Sequence, residues 1–434
     1  MKRYSAYKDS DIEWVGEIPD RWSTKPLFAL FRERQVPNEG NAETNVLSLS
    51  YGRIIRRDVE SNFGLLPESF ETYNIVEPLD IVLRLTDLQN DKRSLRCGLV
   101  QEKGIITSAY LTLQKKAEID PKYMYYLLHN YDIWKVFYSM GGGVRQAIKF
   151  DDLKRLPIVL PSLDEQKTIA NYLDCKTQQI DDLIVKKEKM IDLLKDERTA
   201  IINQAVTKGL DSRSEMKDSG IDWLGNVPKH WKIKKLKYLV MGKLEYGANE
   251  VAESEDQALP RYIRITDFDE NGNLRDDTFR SLTNERAKDY LLCEGDILFA
   301  RSGATVGKTF QFKNYAGTAC FAGYLIKARP KQELLLSDFL YYFTRSNVYE
   351  NWKNSIFNQA TIQNIGADKY AFLSLPLPLI NEQKQIVQFI NQKTVQIDRQ
   401  ISLERKSIEL LKEFRLSLIS EVVTGKIDVR GYAA

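Results

Sequence analysis

Two stretches of the chain carry nearly the same sequence: KDSDIEWVGEIPDRW at Lys8–Trp22 and KDSGIDWLGNVPKHW at Lys217–Trp231. Lys, Asp, Ser, Ile, Trp, Gly, Pro and Trp occupy the same places in both copies, and Glu13 of the first is matched by Asp222 of the second. Two tryptophans, a glycine and a proline do not recur at fixed spacing by chance. This tryptophan motif therefore indicates that the chain contains one structural unit twice.

Further matched stretches lie toward the end of each half. LPIVLPSLDEQKTIANYLD at Leu156–Asp174 matches LPLPLINEQKQIVQFIN at Leu375–Asn391, and AVTKGLD at Ala205–Asp211 matches VVTGKID at Val422–Asp428. Each half thus consists of the tryptophan motif, a long variable region, a Leu-Pro stretch and a long charged segment.

The composition is that of an ordinary globular protein of two or three domains. The chain has 434 residues, 43% of them hydrophobic and 28% charged, with a formal net charge of +3, so any basic surface must be local. Scattered cysteines and only two histidines argue against a disulfide framework, a zinc site or a histidine-rich metal site. We find neither a signal peptide nor an apolar run of about 20 residues, which predicts a cytoplasmic protein with no membrane partner.

The charged segments show apolar residues at steps of 3, 4 and 7, as on one face of a helix close to a coiled-coil seam. The predicted seam residues are Ile169, Leu173, Ile180, Ile184, Ile191, Leu194 and Ile201 in the first copy, and Ile386, Ile390, Ile397, Ile401, Ile408, Leu411 and Leu418 in the second. Ser162 and Glu165 have capping-box spacing for the first helix, while Gly209 and Gly425 suit the two helix ends.

A helix of about 40 residues would extend about 60 Å and cannot bury its apolar stripe alone. Each helix could lie on its own globular domain, but the matched stripes favour pairing of the two helices with each other. Antiparallel pairing would place the globular regions at opposite ends of a rigid spacer.

The variable regions have mixed secondary structure. Stretches such as VLSLSYGRII, DIVLRL and GDILFARSG have strand-like composition, and DPKYMYYLLHNYDIWKVFYS and LSDFLYYFTRSNVYENWKNS resemble matched helices. The predicted fold class is mixed α/β: two similar globular domains separated by two long antiparallel coiled-coil-like helices, with a pseudo-twofold internal repeat.

No pattern of catalytic residues emerges from the sequence. Ser302–Thr309 has three residues between Gly303 and Gly-Lys-Thr, whereas the Walker phosphate loop needs four. No Asp-Pro-Pro-Tyr or Asn-Pro-Pro-Tyr/Phe run of an amino-methyltransferase occurs, and the two histidines, His129 and His230, lie beside aromatic residues where packing is the simpler role. We therefore expect no catalytic residue and no metal site.

Three loop-like stretches in each half combine Arg or Lys with amides or hydroxyls: residues 50–57, 84–96 and 141–149, and residues 264–268, 300–308 and 357–364. Arg pairs with guanine edges, Asn and Gln pair with adenine edges, and Lys and Arg hold phosphates. The predicted DNA-binding residues are Tyr51, Arg53, Arg56, Arg84, Thr86, Lys92, Arg93, Arg145, Gln146 and Lys149 in the first half, and Arg264, Thr266, Arg301, Ser302, Lys308, Asn358, Gln359 and Gln363 in the second.

The repeated tryptophan motif, the Leu-Pro stretch followed by Glu165-Gln166 or Glu382-Gln383 at the start of a long helix, and the divergent variable regions together resemble the specificity subunit of type I restriction–modification systems. The likeness covers essentially the whole chain. It implies residues 1–160 as target-recognition domain 1, 161–208 as the central spacer helix, 209–378 as target-recognition domain 2, 379–425 as the C-terminal spacer helix, and 426–434 as a tail.

The resemblance further implies that each domain recognises one half of a bipartite, asymmetric site in double-stranded DNA. The helices would set the gap and dock two methylation subunits, which use S-adenosylmethionine to methylate adenine, and an ATP- and Mg²⁺-dependent restriction subunit would complete the complex. This chain itself would be non-catalytic and bind no cofactor.

Three alternatives stay open at this point. A stand-alone bipartite DNA-binding protein would lack enzymatic partners. A nuclease with dispersed carboxylates would cleave DNA on its own with Mg²⁺. A coiled-coil adaptor would bind no specific DNA sequence, and it leaves unexplained why the globular surfaces diverge while the framework stays fixed.

Overall fold

The computed structural model describes residues 2–57, 69–88, 95–140, 148–251, 254–269, 272–303, 305–357 and 364–432. Unit 1 of the chain consists of Met1–Lys187 together with Lys406–Ala434, and unit 2 consists of Glu188–Arg405. Both divisions fall inside long helices, whereas the domain boundaries predicted above lie at helix ends; those boundaries stay a prediction.

Two long helices dominate the helical content, as the apolar stripes predict. The α-helices of the described residues are α1 (Leu27–Leu30), α2 (Pro121–Ile133), α3 (Phe150–Leu153), α4 (Leu163–Lys208), α5 (Asn284–Ala287), α6 (Ser337–Phe343), α7 (Asn347–Phe357), α8 (Ala367–Ala371) and α9 (Ile380–Val423). Helix α4 has 46 residues and α9 has 44. Gly209 directly follows α4, and Gly425 lies two residues after the end of α9. Both have a φ of 74°, a left-handed conformation that glycine adopts without strain.

The variable regions contain short strands. Unit 1 has β1 (Tyr7–Asp9), β2 (Glu17–Pro19), β3 (Ser23–Pro26), β4 (Phe31–Glu33), β5 (Leu47–Ser50), β6 (Arg53–Arg56), β7 (Asn74–Val76), β8 (Ile81–Leu83), β9 (Cys97–Leu99), β10 (Gly104–Ile106), β11 (Leu111–Lys115) and β12 (Pro157–Leu160). Unit 2 has β13 (Met216–Asp218), β14 (Asn226–Pro228), β15 (Lys232–Lys235), β16 (Glu245–Tyr246), β17 (Arg261–Ile263), β18 (Ile297–Ala300), β19 (Thr309–Gln311), β20 (Ala319–Phe321), β21 (Leu325–Ala328) and β22 (Ser374–Leu377).

The two units share one sheet topology. Antiparallel sheets of four strands have the order β4-β11-β8-β9 in unit 1 and β16-β21-β18-β19 in unit 2. Strand β3 pairs with β12 as β15 pairs with β22, and the hairpin β1-β2 corresponds to β13-β14. The units differ where β7 pairs antiparallel with β10 but β17 pairs parallel with β20. The sequence prediction of two similar mixed α/β regions is confirmed.

Within each unit the two long helices run antiparallel. In unit 1, Arg415 of α9 lies 3.1 Å from Asp181 of α4. Arg430, which follows α9, lies 3.9 Å from Glu165 near the start of α4. The residue number rises along α9 as that of its partner falls along α4, so the two helices run in opposite directions. In unit 2, Arg198 forms an ion pair of 2.8 Å with Asp398. Arg198 and Arg415 occupy matching places in the two copies, as do Asp181 and Asp398. Each unit therefore contains the same interhelical ion pair with the roles of the helices exchanged.

Most side chains of the predicted seam are shielded from solvent, as an apolar helix face requires. All are buried except Ile184, Ile201 and Leu411, which are half-buried. The structure adds Ile202 and Ile419, both buried at matching places one residue after predicted seam positions. These two side chains pack into the cores of unit 2 and unit 1 respectively, because each helix end contacts a globular core as well as the other helix.

The tryptophan motif seats the end of a long helix. Trp22 and Trp231 are fully buried. A Cβ on Gly425 would lie 3.0 Å from the Trp22 ring, and a Cβ on Gly209 would lie 3.3 Å from the Trp231 ring. The first copy of the motif therefore receives the end of α9, and the second copy receives the end of α4. This confirms the framework role that its repetition predicts.

The Glu-Gln pair at the start of each long helix joins three segments. Gln166 accepts a hydrogen bond from the Asp120 N–H (2.9 Å) and donates one to the Pro161 carbonyl (2.9 Å). Gln383 likewise accepts from the Leu336 N–H (2.9 Å) and donates to the carbonyls of Leu334 and Pro378 (2.9 and 3.0 Å). Both glutamine side chains are buried, and each supplies hydrogen-bond partners to backbone groups of two neighbouring segments.

The neighbouring glutamates differ between the units. Glu382 accepts hydrogen bonds from the Trp231 indole N–H (2.9 Å) and contacts His230 Nε2 at 3.0 Å. Glu165 instead accepts from the Tyr4 hydroxyl (2.7 Å), and Tyr4 stacks edge-on against Trp22. One glutamate thus binds the motif directly, and the other binds it through a tyrosine.

One tyrosine hydroxyl in each unit attaches the globular region to a long helix. The Tyr126 hydroxyl of α2 donates to the Asp174 carboxylate on α4 (2.8 Å), and the Tyr342 hydroxyl of α6 donates to the Asn391 amide oxygen on α9. Asp174 and Asn391 occupy matching positions. This contact explains why the two aromatic helices, which the sequence predicts to correspond, carry Tyr126 and Tyr342 at the same place.

Replacing Gln383 with Leu is expected to lower the free energy of unfolding by about 2 kcal/mol, because one backbone N–H and two carbonyls lose the partner that the buried amide supplies. Urea denaturation followed by tryptophan fluorescence measures the change. Gln385→Leu, an exposed position of α9, is the matched control and should have little effect. Equal losses for both variants would contradict the role assigned to Gln383.

Candidate nucleic-acid interface

The second predicted loop of each half begins at the end of a buried strand. Every residue of β8 and β18 is buried, which accounts for the continuous apolar runs IVL and ILFA. Strand β8 ends directly before Arg84, and strand β18 ends directly before Arg301. The four-stranded sheets therefore hold the start of this loop at the same place in both units.

The same backbone hydrogen bond joins the second and third loops in both units. The Ile148 N–H donates to the Leu85 carbonyl (3.0 Å), and the Ile365 N–H donates to the Arg301 carbonyl (2.9 Å). Leu85 and Arg301 occupy equivalent positions, because each directly follows the residue whose N–H makes the last bond between the paired strands: Arg84 to the Arg96 carbonyl, and Ala300 to the Lys308 carbonyl. Ser302 also forms a β-bridge with Asn364. The structure thus brings two of the three predicted loops together in each half.

Several predicted residues lie outside the described residues: Lys92, Arg93, Arg145 and Gln146 in the first half, and Asn358, Gln359 and Gln363 in the second. Their assignment to DNA stays a prediction.

The first predicted loop of unit 1 is the turn of a hairpin. Tyr51 and Gly52 join β5 to β6 with φ of 46° and 78°, and the Tyr51 side chain is 83% exposed. A Cβ on Gly52 would lie 3.1 Å from the Leu95 Cβ, so the turn lies against the last residues of the second loop. Glycine permits this close approach.

Two exposed arginines of the hairpin form surface ion pairs. Arg53 lies 3.3 Å from Asp181 on α4, and Arg56 forms a two-bond ion pair with Glu102. The Arg56 hydrogen bonds hold the pKa of the Glu102 carboxyl below its ordinary value. Surface pairs of this kind contribute little stability, so each guanidinium can exchange its carboxylate for a phosphate at small cost.

A buried arginine that the sequence analysis does not single out closes the second loop of unit 1. Arg96 is fully buried and donates to the carbonyls of Arg84 and Thr86 (3.0 and 2.8 Å) and to the Tyr138 hydroxyl (3.0 Å). Arg84 and Thr86 are half-buried, and their carbonyls serve this internal network. Lys149, at the end of the third loop, is exposed and its N–H donates to Asp152 at the start of α3 (3.0 Å).

In unit 2, the predicted DNA-binding residue Arg264 binds groups of its own unit. The Arg264 guanidinium donates to the buried Asp267 carboxylate (2.8 and 3.2 Å) and to the Thr278 carbonyl (2.8 Å). Because Asp267 is fully buried, its charge requires this partner. Thr266, on the same turn, is exposed. The arginine therefore stabilises the turn at Ile265–Asp267, where the predicted strand has already ended.

Aromatic side chains accompany the second loop of unit 2. The Arg301 guanidinium lies 5.0 Å from the centre of the Tyr246 ring, and the Tyr246 hydroxyl accepts a hydrogen bond from the Ala367 N–H (2.9 Å). Tyr324, whose carbonyl accepts from the Arg301 N–H (3.0 Å), is exposed, as is Lys308. No spacing in the sequence marks these tyrosines, because Tyr246 on β16 and Tyr324 in the turn before β21 are far apart in the chain.

The described residues show no cluster of ligands suited to a metal ion. No group of three or more His, Cys, Asp and Glu side chains in this part of the chain is placed to hold a metal ion. Burial lowers the pKa of His129 to about 4, and desolvation raises the pKa of the Cys97 thiol, so both are neutral at pH 7. Within the same residues, no helix has the length and apolar content of a membrane span.

Replacing Arg96 with Met should destabilise unit 1 by at least about 2 kcal/mol, because the carbonyls of Arg84 and Thr86 lose the charged donor that the buried guanidinium supplies. Hydrogen exchange should accelerate most at the described residues 84–88. Arg155→Met, at an exposed position of the same unit, is the control. Unchanged exchange in the Arg96 variant would show that the arginine does not hold this loop.

Comparison with known proteins gives a consistent result. A family model described as "Type I restriction modification DNA specificity domain" matches residues 101–192 and 228–413, more than half of the chain. The chain is 26% identical over 448 residues to the putative type I restriction enzyme MjaX specificity subunit of Methanocaldococcus jannaschii, covering 98% of each protein. It is 25% identical over 350 residues to the MjaVIII specificity subunit of the same organism, covering 76% of each.

The fold also matches a solved structure. A chain from a study of complex assembly and conformational transition of the type I R-M system superimposes with a TM-score of 0.71 at 14% identity, covering 94% of this chain and 99% of that one. At this identity the match supports the fold alone.

Proposed function

The chain belongs to the type I restriction–modification DNA specificity family, and from this premise we propose that its two units each recognise one half of a bipartite, asymmetric DNA sequence. One observation carries the proposal: both units have the same sheet order and the same hydrogen bond between the second and third loops, yet the loops differ in sequence. A fixed framework with divergent loops suits two recognition surfaces of different specificity.

The chemistry of the loops supports DNA as the ligand. Exposed Arg53, Arg56 and Lys308 provide positive charge for phosphates. The predicted Arg145-Gln146 and Asn358-Gln359 would contact base edges, where guanidinium and amide groups make paired hydrogen bonds. Because the two sets of loops share no residue pattern, the two half-sites should differ.

We assign no chemical step to this chain. Methyl transfer from S-adenosylmethionine to adenine, and ATP- and Mg²⁺-dependent cleavage, would belong to methylation and restriction subunits bound to it. The cytoplasm, where such subunits would meet the host DNA, is the proposed location. A stand-alone bipartite DNA-binding protein is the alternative, and association with methylation subunits separates the two.

The long helices carry exposed apolar side chains suited to such subunits. Leu193 of α4 and Leu410 of α9 occupy matching places and are 54% and 55% exposed. Other exposed apolar residues on these helices are Leu183, Val185, Met190, Val395, Leu403 and Phe414. Exposed apolar residues repeated along a helix are typical of a surface that a partner covers. Two matching positions favour two copies of one partner, and the helix lengths would set the gap between half-sites.

Exchange of residues 23–150 for those of a related chain should change one half of the methylated DNA motif and preserve the other half and the gap. Mapping methylated adenines across the genome of cells that carry the partner subunits gives the motif directly. The matched exchange of residues 232–372 should change the other half. A single exchange that altered both halves would contradict independent recognition by the two units.

The double substitution Leu193→Lys with Leu410→Lys should weaken binding of methylation subunits at least about a hundredfold, because each buried leucine contributes about 2 kcal/mol. Co-purification and mass measurement of the complex test this. Gln179→Lys with Gln396→Lys adds the same charge at matched exposed positions of the same helices and should leave binding intact. Equal behaviour of the two double variants would exclude these leucines from the interface.

A further inference from the structure

A basic surface of unit 2 lies outside the predicted DNA-binding loops. Four lysines, Lys232, Lys234, Lys235 and Lys237, occupy β15 and the turn that follows it, and all except half-buried Lys237 are exposed. None of these side chains, which we name the lysine strip, forms an ion pair with a described residue. Since lysines on folded surfaces commonly have carboxylate neighbours, this is a local excess of positive charge.

An exposed aromatic ring holds two of these charges in place. The Lys235 and Lys237 ammonium groups lie 4.7 and 4.1 Å from the centre of the Phe372 ring, which is 54% exposed. Lys237 also lies 5.0 Å from the centre of the exposed Tyr238 ring. Cation–π attraction orders both ammonium groups but neutralises neither. Two like charges fixed over one ring form a ready site for an anion.

Unit 1 combines the same features at the corresponding place, with different residues. Lys25 on β3 and Arg155 just before β12 are exposed, and neither forms an ion pair within the described residues. Phe28 is 45% exposed, and its N–H donates to the Lys154 carbonyl (2.9 Å). In unit 1 the aromatic residue, Phe28, comes just after β3, the first strand of the pair β3-β12. In unit 2 the aromatic residue, Phe372, comes just before β22, the second strand of the pair β15-β22. Basic groups beside an exposed phenylalanine therefore occur in both units although the sequences differ.

The surface adjoins the candidate DNA interface in each unit. In unit 2, α8 begins just after the third loop and ends at Ala371, next to Phe372. In unit 1, α3 begins after Lys149 and ends at Leu153, just before Lys154 and Arg155. A helix of five residues extends about 7.5 Å. Each basic surface thus lies one short helix from loops that we propose to contact bases, within reach of neighbouring phosphates.

We propose that the lysine strip, centred on Lys235 and Lys237 over Phe372, binds the phosphate backbone of double-stranded DNA beside the half-site that unit 2 recognises. The inference rests on the proposed function. Double-stranded DNA carries about one negative charge per 1.7 Å of its axis, which complements a row of unpaired ammonium groups. Lysine binds phosphate as a point charge without regard to base sequence. The strip supplies affinity and position, while the loops supply specificity.

The test compares wild-type and Lys235→Gln/Lys237→Gln chains, each assembled with its methylation subunits. Binding is measured across a salt series to a duplex that carries the mapped methylation motif and to a scrambled duplex. Loss of two phosphate contacts should make the negative slope of log K against log salt shallower by about 1.8. Affinity for both duplexes should fall by the same factor, about ten- to hundredfold at low salt, so that the ratio between them is unchanged.

Two further variants sharpen the result. Lys313→Gln removes a lysine of the same unit that is already paired with Asp338 (3.2 Å) and should leave slope and affinity unchanged. Phe372→Leu retains both charges but not the ring, and should weaken binding several-fold without changing the slope. Thermal melting of each assembled variant shows that it is folded.

The possible failures are distinguishable. A wild-type complex with no preference for the motif duplex would overturn the proposed function itself. Normal preference together with an unchanged slope and affinity in the lysine variant would overturn only the phosphate-binding role. If that variant kept its DNA affinity but lost its methylation subunits, the strip would be a protein-binding surface and the proposal wrong.

Discussion

The pairing of α4 with α9 is the constraint on which the rest of the structure depends. The helices are 46 and 44 residues long, and each carries an apolar stripe that it cannot bury alone. In unit 1 the beginning of α4 packs with the end of α9, and in unit 2 the end of α4 packs with the beginning of α9. The reciprocal ion pairs of Arg415 with Asp181 and Arg198 with Asp398 stand at matching places. Unit 1 is therefore assembled from both termini of the chain.

This arrangement gives the repeated motifs their physical meaning. Each copy of the tryptophan motif covers the glycine that ends a long helix, and each Glu-Gln pair begins the helix beside it. The buried glutamines Gln166 and Gln383 perform one task in both units, whereas Glu165 and Glu382 reach the motif by different routes. The residues that repeat between the two halves are therefore those that join the tryptophan motif, the helix starts and the helix ends. The sequence differs between the halves in the regions that make none of these contacts.

Local patterns predicted the regular elements well. The seam periodicity, the terminal glycines and the strand-like runs before the second loops all correspond to observed elements, because burial on one face imposes a period on the sequence. Composition grouped Arg264 with the predicted DNA-binding residues, and that assignment stays a prediction, but composition did not reveal that its guanidinium pairs with the buried Asp267. Arg96 was passed over within a charged loop, although it is buried. Composition does not show whether an arginine meets solvent or a buried acceptor.

By itself, the sequence determined the internal repeat, the two long helices and the family, because these depend on residue identity at fixed spacing. Only the tertiary structure decided which helix segments share a unit, since antiparallel pairing joins residues that are far apart in the chain. The tertiary structure also decided which basic side chains pair with a carboxylate and which do not. Arg264 and Lys235 are both basic residues of unit 2, but a buried carboxylate engages the first, whereas an exposed aromatic ring holds the second and leaves its charge unpaired.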